Sequence, residues 1–334
     1  MKLQELQKEI ADYGADCDDL NSTVRSLIFG KQNAIGFVPS LLQKYHVSGV
    51  LNDWAFTQVC NTLNAPAGWL TNHCPEELKV DILNELAVKW RDDKNLFIRL
   101  KGEVVRAVLS DKYSVFDHSQ LIDLTAEAIQ TMGIEPQVHR ATVADEMRAY
   151  LVFPQITLAP DPTRDNGGLH PSMYISNSER GGGSARITGA VYRSICSNGL
   201  IMGWKTNETM AIRHMYHSRA MMSMLVAEGI TTALKMSEEA TVRFIKSQEV
   251  KIPKVNLSNI VNGWTERYGI SVDAKDNWLA TITSEAASYG RADDIRLFDM
   301  VNAATYVAQS RPAFETEMIE RMAGDLLTQE THRR

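Results

Sequence analysis

Several signatures that would settle a function are missing from this 334-residue chain. There is no GxxxxGK[ST] loop and no GxGxxG turn, the two glycine patterns that bring backbone amides onto phosphates. HExxH and a nucleophile elbow are absent as well, and no clustered carboxylates mark a catalytic motif, which disfavours an enzyme. The four cysteines, Cys17, Cys60, Cys74 and Cys196, have no metal-type spacing, and no N-terminal apolar segment resembles a signal peptide, so a reduced, cytoplasmic setting is expected. No run of about 18 apolar residues could span a bilayer. A net charge of −6 also argues against a surface that coats nucleic acid all over, without excluding a local basic patch. No internal repeat or low-complexity tract interrupts the pattern.

What is present, 44% hydrophobic and 23% charged residues, suffices for one large or two moderate domains. A helix is expected from Pro75, with Leu78, Ile82, Leu86 and Trp90 on one stripe. A second is expected after Asp117, whose spacing to Gln120 is that of a capping box, with Gly133 as its stop. Strands are expected over 137–143 and 146–153, where Met147, Ala149, Leu151 and Phe153 alternate with Arg148, Tyr150 and Val152. SERGGGSAR reads as a glycine hairpin turn. The stretch after it fits a helix or a strand equally well, and from residue 218 onward the periodicity is helical. The expected architecture is α+β: an N-terminal segment (1–50), a core with an antiparallel sheet flanked by helices (51–217), and a helical C-terminal region (218–334).

Two features carry charge. In LFIRLKGEVVRAVLS, Gly102-Glu103 predicts a two-residue hairpin that sets Arg99 opposite Arg106, on a face shared with Phe97 and Lys101. Like charges directly opposed destabilise a sheet unless an anion lies on them. Between Arg180 and Arg219 the chain also carries six basic residues (Arg180, Arg186, Arg193, Lys205, Arg213, Arg219) against one acid, Glu208. Tyr192, Trp204 and Tyr216 are interleaved. A basic groove with stacking rings suits single-stranded nucleic acid, so Phe97, Arg99, Lys101, Arg106, Lys112, Tyr113, Arg148, Arg180, Arg186, Tyr192, Arg193 and Lys205 are the candidate interface. The alternative is that these arginines pair with the acidic tail region. His214 and His217 in HMYH form only a thin case for a metal site, and Cys196 suits a structural role better than a nucleophile.

Three strings give the chain a family likeness: RAVLSDKY at 106–113, Asn-Ser-Glu at 177–179, and RSICSNG at 193–199. With LNDWAFTQVCNTLNAPAGWL they resemble the phage and plasmid-like proteins grouped as domain of unknown function 932, over roughly residues 50–205. The resemblance implies a mobile-element setting, in the cytoplasm of a bacterial host cell, and supplies no reaction. The layout, a basic sheet face backed by helices, is similar to that of single-strand annealing proteins of the recombination-mediator superfamily. The expectation is therefore a homo-oligomeric protein that binds single-stranded nucleic acid, DNA more than RNA, without a cofactor, a metal or a membrane. The competing expectation is a protein that binds a host or phage protein.

Overall fold

The hairpin at Gly102 sets the first sheet. In the computed structural model, which describes residues 1–37, 47–89, 94–160, 167–194, 198–202, 210–217, 219–291 and 293–332, β5 (Asn95–Lys101) and β6 (Val104–Ser110) turn there. Gly102 has φ +55° and Lys101 stands opposite Val104. The register then departs from the expectation. A shift between Arg99 and Leu100 places Arg99 opposite Ala107 and leaves Arg106 as the extra residue of a bulge. The two arginines are therefore not cross-strand partners, and neither lies on an open face: they are 2% and 1% exposed. A bulge removes the like-charge opposition by re-aiming one side chain.

β1 (Cys17–Thr23) pairs antiparallel with β5. β4 (Val47–Leu51) runs parallel to β6, and β3 (Ala34–Phe37) and β2 (Leu27–Phe29) complete the order β1-β5-β6-β4-β3-β2. Residues 17–51 thus supply four strands of this sheet, so the boundary expected at residue 50 falls inside β4. Helices α2 (Asp53–Thr62), α3 (Ala67–Asn72) and α4 (Glu76–Lys89) bury Phe56, Val59, Leu70 and Leu83 against Ile98, Leu100 and Val105. On α4 the buried residues are Leu83 and Ala87 while Leu78 is 46% exposed. Its stripe is rotated from the expected one, and Trp90 lies outside the described residues.

The second sheet has the order β12-β11-β10-β8-β7. Its strands are β7 (Gln137–Thr142), β8 (Glu146–Val152), β10 (Gly168–Ser178), β11 (Ala185–Arg193) and β12 (Asn198–Ile201). Short β9 (Ala159–Pro160) pairs with β10, and β13 (Met210–Ile212) with β11. The stretch that fitted helix or strand is a strand because β10 offers it an edge of eight paired positions, Leu169↔Arg193 to Ser176↔Arg186. SERGGGSAR is the turn between them, with Gly181 at φ +74°.

One face of this sheet, Met147, Ala149, Leu151, Met173, Ile175 and Ile187, packs on α1 (Leu3–Gly14), α5 (His118–Thr131) and α6 (Arg219–Lys246). Asp117 caps α5 in a capping box with Gln120, and Gly133 follows its end at φ +68°. The opposite face, with Tyr150, Tyr174 and Arg148, is covered by the helical region: α7 (Leu257–Tyr268), α8 (Val272–Ser288), α9 (Leu297–Ala308) and α10 (Ala313–His332). Arg148 Nε meets Glu317 of α10 at 3.0 Å, and Arg140 Nη1 donates to Glu320 at 2.9 Å. Arg193 is buried on Asn302 of α9. The mixed base-and-aromatic face of β8 exists, but helices rather than solvent lie on it. The fold is α+β with a helical C-terminal region.

The close approach of α6 to β11 requires a glycine. A Cβ on Gly189 would stand 2.5 Å from both the Ala233 carbonyl oxygen and Met236 Cβ. Gly189→Val is expected to cost about 1–3 kcal/mol or more through overpacking, read as a lowered denaturation midpoint. An unchanged midpoint would mean that α6 does not lie this close.

Candidate functional site

The two sheets meet at one carboxylate. Glu179 stands at the start of the β10–β11 turn, buried at 5% exposure. Its Oε2 accepts from Arg106 Nη1 at 2.8 Å and its Oε1 from the His118 backbone N–H at 2.8 Å. Its backbone carbonyl accepts from Arg99 Nη1 at 3.1 Å, and its N–H donates to the Asp145 carbonyl at 2.9 Å. The first sheet thereby holds the turn of the second through two guanidinium groups.

Arg99 is saturated. Its Nε and Nη2 take both oxygens of Asp19 (2.8 and 3.2 Å), and Nη1 lies 2.7 Å from Asp117 Oδ1. Arg106 is not. Nη1 reaches Glu179 and, at 3.3 Å, Asp145, whereas Nε and Nη2 are buried with no hydrogen-bond partner among the described residues. Asp117 Oδ1 has no partner among the described residues besides its 2.7 Å ion pair with Arg99. Arg106, Arg99, Asp19, Asp117 and Glu179 line a cleft of about 390 Å³, walled on one side by Tyr13 near the end of α1 and Cys17 at the start of β1.

Behind this cluster Asn177 fixes two imidazoles. Its Nδ2 stands 3.1 Å from His118 Nδ1, whose Nε2 reaches the Ala144 carbonyl at 2.9 Å. Its Oδ1 faces His214 Nε2 at 3.0 Å. This pattern assigns His118 as the Nε2–H tautomer accepting from Asn177, and His214 as a donor through Nε2. Tyr113 stacks between Phe97 (5.9 Å between ring centroids) and His214 (5.0 Å).

Burial favours the neutral form of most titratable groups here. It raises the Cys17 thiol, Tyr13, Tyr113 (pushed up to about 12) and Asp117, the last against the pull of Arg99. It lowers His118, and together with the Arg99 charge it brings His214 down to about 4. Glu179 is the exception: burial alone would raise it, but His118 and Arg106 outweigh that and hold it below the usual range. A general acid or base works best when its pKa lies near the operating pH, and with the exception of Asp117 these groups are moved away from that range.

Of the residues picked from sequence, Phe97, Arg99, Arg106 and Tyr113 come together here. Lys101 borders them, its ammonium 3.8 Å from the Tyr13 ring centroid. Arg180 stacks on Trp54 at 4.7 Å and pairs with Glu146 at 2.8 Å, and Arg148 pairs with the same glutamate. Lys112 is exposed. Arg193 and Tyr192 lie at the other end of β11, with Tyr192 beside His139, and Arg186 is half-buried within the sheet. Lys205, Trp204 and Cys196 fall outside the described residues. His214 and His217 do not lie on a helix, and His214 turns to Asn177. Missed from sequence were Glu179, Asp19, Asp117, Asp145, His118 and Asn177 as site residues. Only the Asn-Ser-Glu string pointed to two of them.

Two of the strings that carry the family likeness thus meet in space: Arg106 and Tyr113 of one contact Glu179 of the other, with Tyr113 Oη 3.4 Å from its carbonyl. Of the third, Arg193 lies away from them, on Asn302 of the helical region, and residues 195–197 fall outside the described residues. The model of the family described as a domain of unknown function (DUF932) matches residues 105–310, more than half of the chain. The chain belongs to this family. The DUF932 match includes Arg106, Asp117, Asp145 and Glu179 and leaves out Tyr13, Asp19 and Arg99, so the cleft is built from both sides of its boundary. No curated protein and no solved structure matches the chain.

Arg99→Met removes one partner from a buried ion cluster and is expected to cost about 3–5 kcal/mol in chemical denaturation, because Asp19 and Asp117 lose their counter-charge. A cost below about 1 kcal/mol would place the pair in solvent. His214 gives a pH dependence. Its folded pKa, about 4, lies below the ordinary 6.5, so between those values the unfolded chain binds more protons. Stability is full above pH 6.5 and falls as pH drops toward 4. His214→Gln should flatten the thermal midpoint over that window, and an unaltered slope would assign it to other groups.

Proposed function

We propose that this DUF932 protein binds single-stranded nucleic acid, DNA in preference to RNA, as a homo-oligomer in a phage or plasmid setting. The observation that carries the reading is the surface beside the Phe97–Tyr113–His214 stack. Tyr216 is 88% exposed, and Lys112 and Arg213 are exposed next to the stacked residues in sequence. The Ser114 N–H donates to the His214 carbonyl at 3.1 Å, which joins the two loops that carry Lys112 and Arg213. Exposed cations beside aromatic faces are the usual means of holding a strand, phosphates on the cations and bases on the rings. The arginines of the hairpin do not serve as that surface, because they are buried on carboxylates.

A second reading, a protein partner, is favoured by the same neighbourhood. Met215, Met221 and Met224 are 56%, 45% and 58% exposed around the start of α6, and exposed methionines adapt readily to protein surfaces.

The test is binding of a labelled oligonucleotide at several salt concentrations. Affinity should fall with a slope of about −0.7 per phosphate contact, and Lys112→Ala or Arg213→Ala should each shallow it by about that amount. Tyr216→Ala should weaken binding by about 1–3 kcal/mol. All three positions are exposed, so the variants should melt with the parent. Absence of binding at low salt by folded protein would refute the reading and leave the protein partner.

A further inference from the structure

We infer that the cleft beside Arg106 takes a single guanine base. The inference rests on the strand-binding reading and supplies its base preference. A guanidinium presents Nε–H and Nη2–H in parallel along one edge, spaced for two adjacent acceptors. Arg99 spends this edge on Asp19. Among the described residues the same edge of Arg106 is buried and unbonded in the wall of the cleft, and Asp117 Oδ1 in that wall, ion-paired to Arg99 at 2.7 Å, has a lone pair to spare for a donor. Buried polar groups without partners are costly, so the complementary ligand carries two adjacent acceptors and, on a neighbouring edge, at least one N–H donor.

Charge decides what kind of molecule this is. The cleft is lined by two arginines against the carboxylates of Asp19, Asp117 and Glu179, with Asp145 close behind. A phosphate or carboxylate would bring further negative charge to a site that already has more acids than bases. A neutral heterocycle does not. Guanine offers O6 and N7 as the acceptor pair that arginine reads bidentately, and its N1–H and N2–H₂ face the adjoining direction. Adenine places a donor beside its N7 and cannot satisfy both arginine nitrogens. Cytosine also sets acceptors beside a donor and is the base to be separated from guanine by measurement. A volume of about 390 Å³ lies within the range of small-ligand sites. Both nitrogens of the Arg106 edge are shielded from solvent, so seating the base displaces a wall side chain. Tyr13, half-buried, stands at that wall.

The experiment is equilibrium binding of the full chain to guanosine, 7-deazaguanosine, adenosine, cytidine and inorganic phosphate. It is run beside oligothymidylate with and without one internal guanine. Guanosine should bind best, and removal of N7 should weaken it about tenfold, the worth of a bidentate contact. The single guanine should strengthen oligonucleotide binding by a similar factor. Arg106→Lys keeps a cation for Glu179 but loses the two-pronged edge, and should erase the guanine preference while binding to plain oligothymidylate persists. If that variant does not fold, the 7-deaza comparison on the unaltered protein decides alone. Equal binding of all nucleosides, a cytidine preference, or binding of phosphate without nucleoside would overturn the guanine site and leave strand binding standing. If neither oligonucleotide nor nucleoside binds, both readings fall.

Discussion

A carboxylate held between two sheets is the constraint on which the rest depends. Glu179 belongs to the turn of the second sheet, yet its hydrogen bonds run to Arg106 of the first and to the N-terminus of α5. Both ions are desolvated, so neither tolerates loss of the other. Nearby features follow as ways of completing that pair. The bulge in β6 re-aims Arg106 toward the turn, and Gln58 and Trp54 grip the Arg180 carbonyl one residue beyond Glu179, at 3.0 and 2.9 Å. Asn177 orders the imidazoles behind it. Asp19 and Asp117 satisfy the second arginine, leaving the Arg106 edge as the unmatched element.

The helical C-terminal region solves the matching problem on the other side of the second sheet. Strands whose outer residues are Arg140, Arg148, Tyr150 and Tyr174 would present a basic, aromatic face to water. Helix α10 meets it with Glu317 and Glu320, both nearly fully buried. Burial raises Glu320 toward neutrality and the Arg140 contact opposes that rise. Within the basic segment from Arg180 to Arg219, Arg193 is buried on Asn302 and Arg180 pairs with Glu146, so a local charge balance overstated the available surface.

Much of the fold was legible in local pattern. The capping box at Asp117, the Gly102 turn, the two strands flanking residue 144 and the glycine hairpin are all set by short-range chemistry, and all occur. What stayed hidden was non-local. A bulge depends on what a side chain must reach, and Arg106 reaches a glutamate 73 residues away. The N-terminal strands could not be assigned to a sheet whose other members begin at residue 95. The pairing of β1 with β5, which brings Asp19 to Arg99, has no signal in sequence periodicity. Arg99 and Arg106 stood out in the sequence as an unfavourable pair on an open face, when each is a buried cation with partners on distant elements.

The central claim, that Arg106 and Glu179 act as one unit joining the sheets, is tested most directly by a double-mutant cycle. Chemical denaturation of Arg106→Met, Glu179→Gln and the combined variant measures whether the two losses add. If the pair is the joint described, the combined variant is destabilised by clearly less than the sum of the single changes, with a coupling of about 1.5 kcal/mol or more. Strict additivity, within about 0.5 kcal/mol, would mean that the two side chains do not depend on each other and that something else holds the sheets together.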